Sequence, residues 1–416
     1  MRKVLVIGYV WPEPASSAAG TRMMQLLEYF LSQDYSITFA TTASPTPYCE
    51  DLTTKGIVVQ KIKLNSSTFN YFVNDLSPQI VVYDRYMMEE QFGWRVTETC
   101  PNALTILDTE DLHFLRKFRQ NKIKNPTIAE TGLMESELAR REIASIYRCD
   151  LSLIISEVEM DILKREFKVP ENLLLYLPFM QEKISSAFKK TLPAYGERED
   201  FISIGNFKHA PNVDALQYLK KDIWPLIHRK LPTAQMLIYG AYPTSAIQQL
   251  NDPKVNFLIK GRAESAEEVV KAARVSLAAL RYGAGLKGKI TEALRCGTPV
   301  VTTGLGAEGM GRETEGKLTI TSTPEEFANA AVLLYTSEEN WSKAAENGYE
   351  LLNMLFCKEY YYEILSSRIK CTTENLEERR SENFTGAMLK HHYSRSTYFL
   401  SKYIELKNEL EQLRKK

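Results

Sequence analysis

Short apolar runs alternate with helical stretches along most of this 416-residue chain, and that alternation narrows its possible folds more than any other feature. Residues 4–7, 36–41, 57–61, 79–83, 103–107, 151–155 and 173–177 are brief and mostly apolar, as strands buried on both faces are. Residues 21–32, 87–98, 133–148 and 157–167 lie between them with apolar side chains at helical spacing. In the first of these, Met23, Leu26, Leu27 and Phe30 share one face. The alternation predicts an α/β fold with a parallel sheet, helices on both sides, and ligands beyond the carboxyl ends of the strands. It halts at the turn-rich Leu192-Pro193-Ala194-Tyr195-Gly196 and resumes at residues 201–204, 235–239, 255–259, 275–280 and 300–303. A chain this long exceeds one ordinary core. We expect domains over 1–192 and 197–370, followed by a helical tail over 371–416.

One strand of the second unit leads into Gly283-Ala284-Gly285-Leu286-Lys287-Gly288-Lys289 and then a short helix, with Gly297 placed to end it. Free amides and the dipole at a helix start suit an anion. Lys287 and Lys289 add full charges, and Glu292 lies about one turn further on, within reach of a ribose. A solvated turn would account for one glycine but not for this density of glycine and lysine. The same residues fit G-x-x-x-x-G-K, the phosphate loop of an NTPase. That loop continues with a magnesium-binding Ser or Thr, whereas here Ile290 follows and Thr291 comes one place late.

In the first unit, residues 107–116 close a strand with Asp108, Glu110, Asp111, His113 and Arg116. Capping the next helix needs one oxygen, from Asp108 or Thr109, and leaves His113 unexplained. Asp108, Asp111 and His113 are therefore candidate catalytic residues. Asp84-Arg85 closes another strand and could line the same cleft.

After the glycine loop come Glu292-Ala293, Cys296-Gly297 and Pro299-Val300-Val301. With them the stretch resembles the donor site of the GT-B glycosyltransferases of family GT4, and the resemblance extends to residue 370. It implies two Rossmann-like α/β domains facing across a cleft. The implied activity is transfer of a sugar, hexosyltransferase-like and with retention of configuration, from a UDP- or GDP-linked donor to a glycan, lipid or protein acceptor. It further implies that Gly283, Gly285, Lys287, Lys289 and Lys208 hold the diphosphate and that Glu292 holds the ribose. Arg262 would lie near the base, and Glu308 would touch the ligand or cap a turn. Asn206 stands where members often carry an arginine. Gly20 and Arg22, in the opening loop, would face the phosphates, while Asp108, Asp111 or His113 would meet the reacting sugar. Many members have a second glutamate eight positions before the first; here that position is Ala284. A non-catalytic nucleotide-sugar binder with this fold is the alternative.

No D-x-D triplet occurs, so no metal is expected, and a lone Gly8 is not a G-x-G-x-x-G fingerprint, so no dinucleotide cofactor is expected either. The formal net charge is zero, which gives no reason to expect nucleic acid as a partner. Scattered cysteines without a C-x-x-C pair suit a cytoplasmic protein. The apolar run near the N-terminus suits a first strand better than a signal peptide, and no run reaches the ~18 residues of a membrane span. In the tail, residues 372–382 are charged and expected to be mobile. Residues 396–413 are amphipathic, with Phe399, Tyr403, Leu406, Leu410 and Leu413 at alternating four- and three-residue spacing. That face suits self-association or peripheral membrane contact.

Overall fold

Two parallel sheets carry the alternating pattern. The structure, a computed structural model, describes residues 2–311 and 316–414. The first sheet contains β1 (Arg2–Gly8), β2 (Tyr35–Thr41), β3 (Val58–Lys61), β4 (Ile80–Asp84), β5 (Leu104–Asp108), β6 (Leu151–Ile154) and β7 (Leu174–Tyr176). Their spatial order is β3-β2-β1-β4-β5-β6-β7. The second contains β8 (Glu199–Ile204), β9 (Met236–Tyr239), β10 (Phe257–Gly261), β11 (Ala273–Ala278), β12 (Val300–Thr303) and β13 (Thr319–Thr321), ordered β10-β9-β8-β11-β12-β13. In both sheets the order reverses beside the first strand, between β1 and β4 and between β8 and β11. A doubly wound sheet opens its ligand crevice at that place.

Helices cover both faces of each sheet, which is why the central strands are mostly apolar; the edge strand β3, Val-Val-Gln-Lys, is largely exposed. In the first domain Val4 and Val6 pack with Met23, Leu27 and Phe30 on one face, while Leu5 and Ile7 pack with Phe69, Phe92 and Phe114 on the other. The helix Lys358–Glu374 crosses back from the second domain: Tyr361, Leu365 and Ile369 join the first-domain core.

Several elements differ from the sequence expectation. The helix expected over 133–148 is broken at Ser136, whose hydroxyl accepts the Ala139 N–H at 3.4 Å and caps a second helix, Glu137–Arg148. Helix Thr68–Leu76 was not foreseen. Residues 372–382, expected to be mobile, lie in helices Lys358–Glu374 and Leu376–Glu382. The physical reason is pairing: Arg380 donates to both carboxylate oxygens of the buried Asp150, at 2.7 and 2.6 Å, and to the Ala103 carbonyl at 2.8 Å. The last helix, Phe384–Arg414, docks on the first domain through Ser401, bound by Arg95 at 2.9 Å, and Glu405, bound by the Ser67 N–H at 2.6 Å. Its stripe of Phe399, Tyr403, Leu406, Leu410 and Leu413 stays exposed. Among the described residues, no helix is long and apolar enough to cross a membrane.

Candidate functional site

The carboxyl ends of both sheets meet at one cleft of about 1080 Å³. On the second-domain side, the loop after β11 delivers helix Gly288–Arg295 with its N-terminus at the cleft. The first amides of such a helix have no partner within it. Lys287 Nζ lies 2.6 Å from the Gly285 carbonyl, and Lys289 Nζ lies 2.8 Å from Asn212 Oδ1. Among the described residues, neither ammonium has a carboxylate within ion-pair distance. Burial accordingly lowers both, Lys289 to about 8, while the more distant Glu308 and Glu159 oppose the shift at Lys287. Glu292 lines the same wall, one turn into the helix. Burial, helped by the charge of Glu267, pushes its carboxyl up to about 7.

On the first-domain side, Asp111, His113 and Arg116 line the cleft. Burial opposes ionisation of Asp111, but its ion pair with Arg116 and the nearby His113 and His209 hold it below the usual carboxylate range. His113 Nε2 is 3.4 Å from Asp111 Oδ1. Burial lowers the imidazole to about 4 against the attraction of Asp111, with the charges of Arg116 and Arg85 also depressing it. Near neutral pH the pair is therefore a carboxylate beside a neutral ring. These residues open helix His113–Lys124, which local signals do not announce. Its N-cap Leu112 offers no side-chain acceptor, and the amides of His113 and Phe114 are met instead by Glu142 from a distant helix, at 3.1 and 3.0 Å.

Asp108 does not reach the cleft. It is fully buried and paired with the equally buried Arg22, whose Nη2 lies at 2.7 Å and Nε at 2.9 Å. Arg22 also donates to the Leu177 carbonyl at 2.7 Å. Gly20 lies in helix Ala18–Ser32, where a Cβ would come within 2.4 Å of the Glu13 backbone. Gly20 and Arg22 thus shape the opening loop from behind; Thr21 and residues 13–19 are the ones that line the cleft. The Asn206 side chain accepts the Lys208 N–H at 2.9 Å and so organises its own loop. Lys208 lines the cleft with its ammonium 3.5 Å from the centre of the Tyr242 ring, and Arg262 lies 4.2 Å over the Tyr48 ring. Glu308 is held by both Nη atoms of Arg119, at 2.6 and 2.8 Å, away from the cleft lining.

The glycine loop also touches the first domain. Gly285 has φ +62°, and a Cβ there would lie 2.9 Å from Asp111 Cβ, so only glycine permits this approach. Its N–H is taken by the buried Glu159 at 2.9 Å and is not free for a phosphate. Sequence reasoning passed over Arg116, Arg119, Glu142 and Glu159. Arg116 stood inside the polar run at β5. The acids sit in ordinary amphipathic helices and left no such signal.

Residues 198–337 match the family model described as "Glycosyl transferases group 1". The chain is 19% identical over 374 residues to an uncharacterised 44.6 kDa protein in the cps region of Klebsiella pneumoniae, covering 82% of this chain and 92% of that protein. Among solved structures, a mutant of S. aureus TarM in complex with Fondaparinux, alpha-GlcNAc-glycerol and UDP matches with TM-score 0.66 at 10% identity, over 88% of this chain and 99% of that one. HepE of Anabaena in complex with UDP-glucose matches with TM-score 0.64 at 11% identity, over 88% and 100%.

Proposed function

We propose that this chain, a group 1 glycosyl transferase by the match of its second domain and a GT-B protein by fold, transfers a sugar from a nucleoside diphosphate sugar to an acceptor hydroxyl with retention of configuration. The observation that carries the reading is one of charge. Two half-buried lysines that have no ion-pair partner among the described residues flank a helix N-terminus, and a half-buried glutamate stands one turn beyond them. A diphosphate would complete the lysines, and Glu292 would accept hydrogen bonds from the ribose hydroxyls. As the sugar leaves, the diphosphate gains charge at this fixed cationic wall; that is electrostatic catalysis by groups already in place. Across the cleft, ionised Asp111 and neutral His113 would hold the sugar or acceptor hydroxyls. The solved relatives that hold UDP or UDP-glucose favour uridine in the donor. A GDP-linked donor and a glycan, lipid or protein acceptor fit the same scheme. The site would work in the cytoplasm.

The scheme needs no metal, because fixed cations and the helix terminus balance the diphosphate. Titration calorimetry with UDP and GDP should give equal affinity in excess chelator and in added magnesium, and UDP-glucose or a GDP-linked sugar should be slowly hydrolysed. Magnesium-dependent nucleotide affinity with steady phosphate release from a nucleoside triphosphate would reject the scheme in favour of an NTPase. Binding without any sugar release would leave a non-catalytic binder.

A further inference from the structure

The cleft wall assigned to the donor is not held by its own domain alone. Glu159, in the first-domain helix Glu157–Arg165, is fully buried. Its Oε1 accepts two backbone N–H groups at 2.9 Å each: Leu112, between Asp111 and His113, and Gly285, at the centre of the glycine loop. One oxygen atom therefore joins the sugar-side residues to the diphosphate-side loop across the domain boundary. Oε2 is equally buried and has no hydrogen-bond partner among the described residues. Buried polar atoms are nearly always satisfied, and a carboxylate kept in this state calls for a reason beyond packing. The same loop is held a second time from the first domain, where Arg119 donates to the Gly283 carbonyl at 2.9 Å while it grips Glu308. Lys287 closes back on the Gly285 carbonyl at 2.6 Å, so moving Gly285 moves the lysine.

We propose that Glu159 is a positioning residue that sets the glycine loop and the Asp111–His113 pair in register, so that diphosphate and reacting sugar are placed by one shared contact. It touches neither substrate. It acts through the Gly285 and Leu112 amides, and the proposal rests on the glycosyl-transfer reading for its kinetic consequence. What the role requires is reach. An acceptor atom must sit at the Oε1 position, whatever its charge. Burial and the neighbouring Asp111 push the Glu159 carboxyl up to about 7, so a neutral group is already tolerated there.

Reach and charge separate in two variants. Glu159→Gln keeps the acceptor and removes the charge; Glu159→Asp keeps the charge and draws the oxygen back by one methylene. Amide hydrogen exchange on the ligand-free protein reads the contact directly and needs no donor. Gly285 and Leu112 should stay protected in the parent and in Glu159→Gln, and exchange at least tenfold faster in Glu159→Asp. In sugar-transfer or donor-hydrolysis assays, Glu159→Gln should stay within about threefold of the parent. Glu159→Asp should lose on the order of ten- to hundredfold in kcat, with KM for the donor within about threefold, because misplacement by a fraction of a residue length mainly costs the transition state. If Glu159→Asp kept parental exchange and kcat, or if Glu159→Gln fell as far as Glu159→Asp, the proposal would be overturned. A parent protein that transferred no sugar would remove the functional reading, while the exchange result would still decide whether Glu159 clamps the two loops.

Discussion

The loops after β5 and β11 face each other across the cleft and meet opposite electrostatic demands. After β5 two acids are matched within the protein, Asp108 with Arg22 and Asp111 with Arg116, while burial, with Asp108 beside it, pushes the Glu110 carboxyl well above the usual carboxylate range and so towards its neutral form. After β11 the charge is left open. Lys287 and Lys289 have a carbonyl and an amide oxygen for company, and burial lowers the pKa of both. The first loop is thus set before any ligand arrives. On the glycosyl-transfer reading proposed above, the diphosphate would complete the second, so that the site would orient with the first loop and bind with the second.

The comparison breaks most visibly at Arg22. Arg22→Ala leaves Asp108 buried and unpaired, which should cost about 3–5 kcal/mol of stability. Urea unfolding would read that loss, and calorimetry on the folded variant should find nucleotide affinity within about threefold of the parent. A large loss of nucleotide affinity at parental stability would place Arg22 in the binding site after all.

Next come Asp111→Asn and His113→Ala. Both groups belong to the loop already set, so each should lower kcat, by on the order of a hundredfold, while nucleotide Kd barely moves. Nucleotide binding that disappeared with kcat intact would show that the two loops do not divide the work in this way.

The smallest and most discriminating effect is one of pH. Glu292 accepts ribose hydroxyls best as a carboxylate, a form that is lost as pH falls through about 7. Lys289 attracts the diphosphate as an ammonium, which is lost as pH rises through about 8. Affinity for a sugar-linked nucleoside diphosphate, whose diphosphate stays fully ionised across this range, should therefore peak between these values and weaken on both sides. Glu292→Gln should flatten the acid limb and Lys289→Ala the alkaline limb. Each substitution should weaken binding ten- to hundredfold, as expected for a charge-assisted bond worth about 1.5–3 kcal/mol. A flat profile in the parent would remove both residues from the ligand.

Much of the architecture was legible before the structure. Strand positions followed from short apolar runs, because a strand covered on both faces has no polar side to interrupt it. The place of the glycine loop and its lysines at the cleft was legible because a strand end, a turn and a helix start lie adjacent in the chain. Where helix His113–Lys124 starts was not legible, because its first amides are capped by Glu142 from another helix and not by Asp108 or Thr109. Residues 372–382 misled for the same reason: a run of charges looks solvated until Asp150 is seen to receive Arg380.

By itself, then, the sequence determined the two α/β units and the glycine- and lysine-rich stretch that lines the cleft, since both depend on neighbours along the chain. Tertiary structure decided which charges are free and which are spent. Asp108 looked like part of a reactive cluster until Arg22, distant in sequence, was found against it. Glu159 stands in the first turn of its helix, a position that suits any acid, yet it binds one amide from each domain. Coulomb and hydrogen-bond energies fall off over a few ångströms of space, whatever the separation in sequence, so the roles of these carboxylates were set only when the two sheets came together.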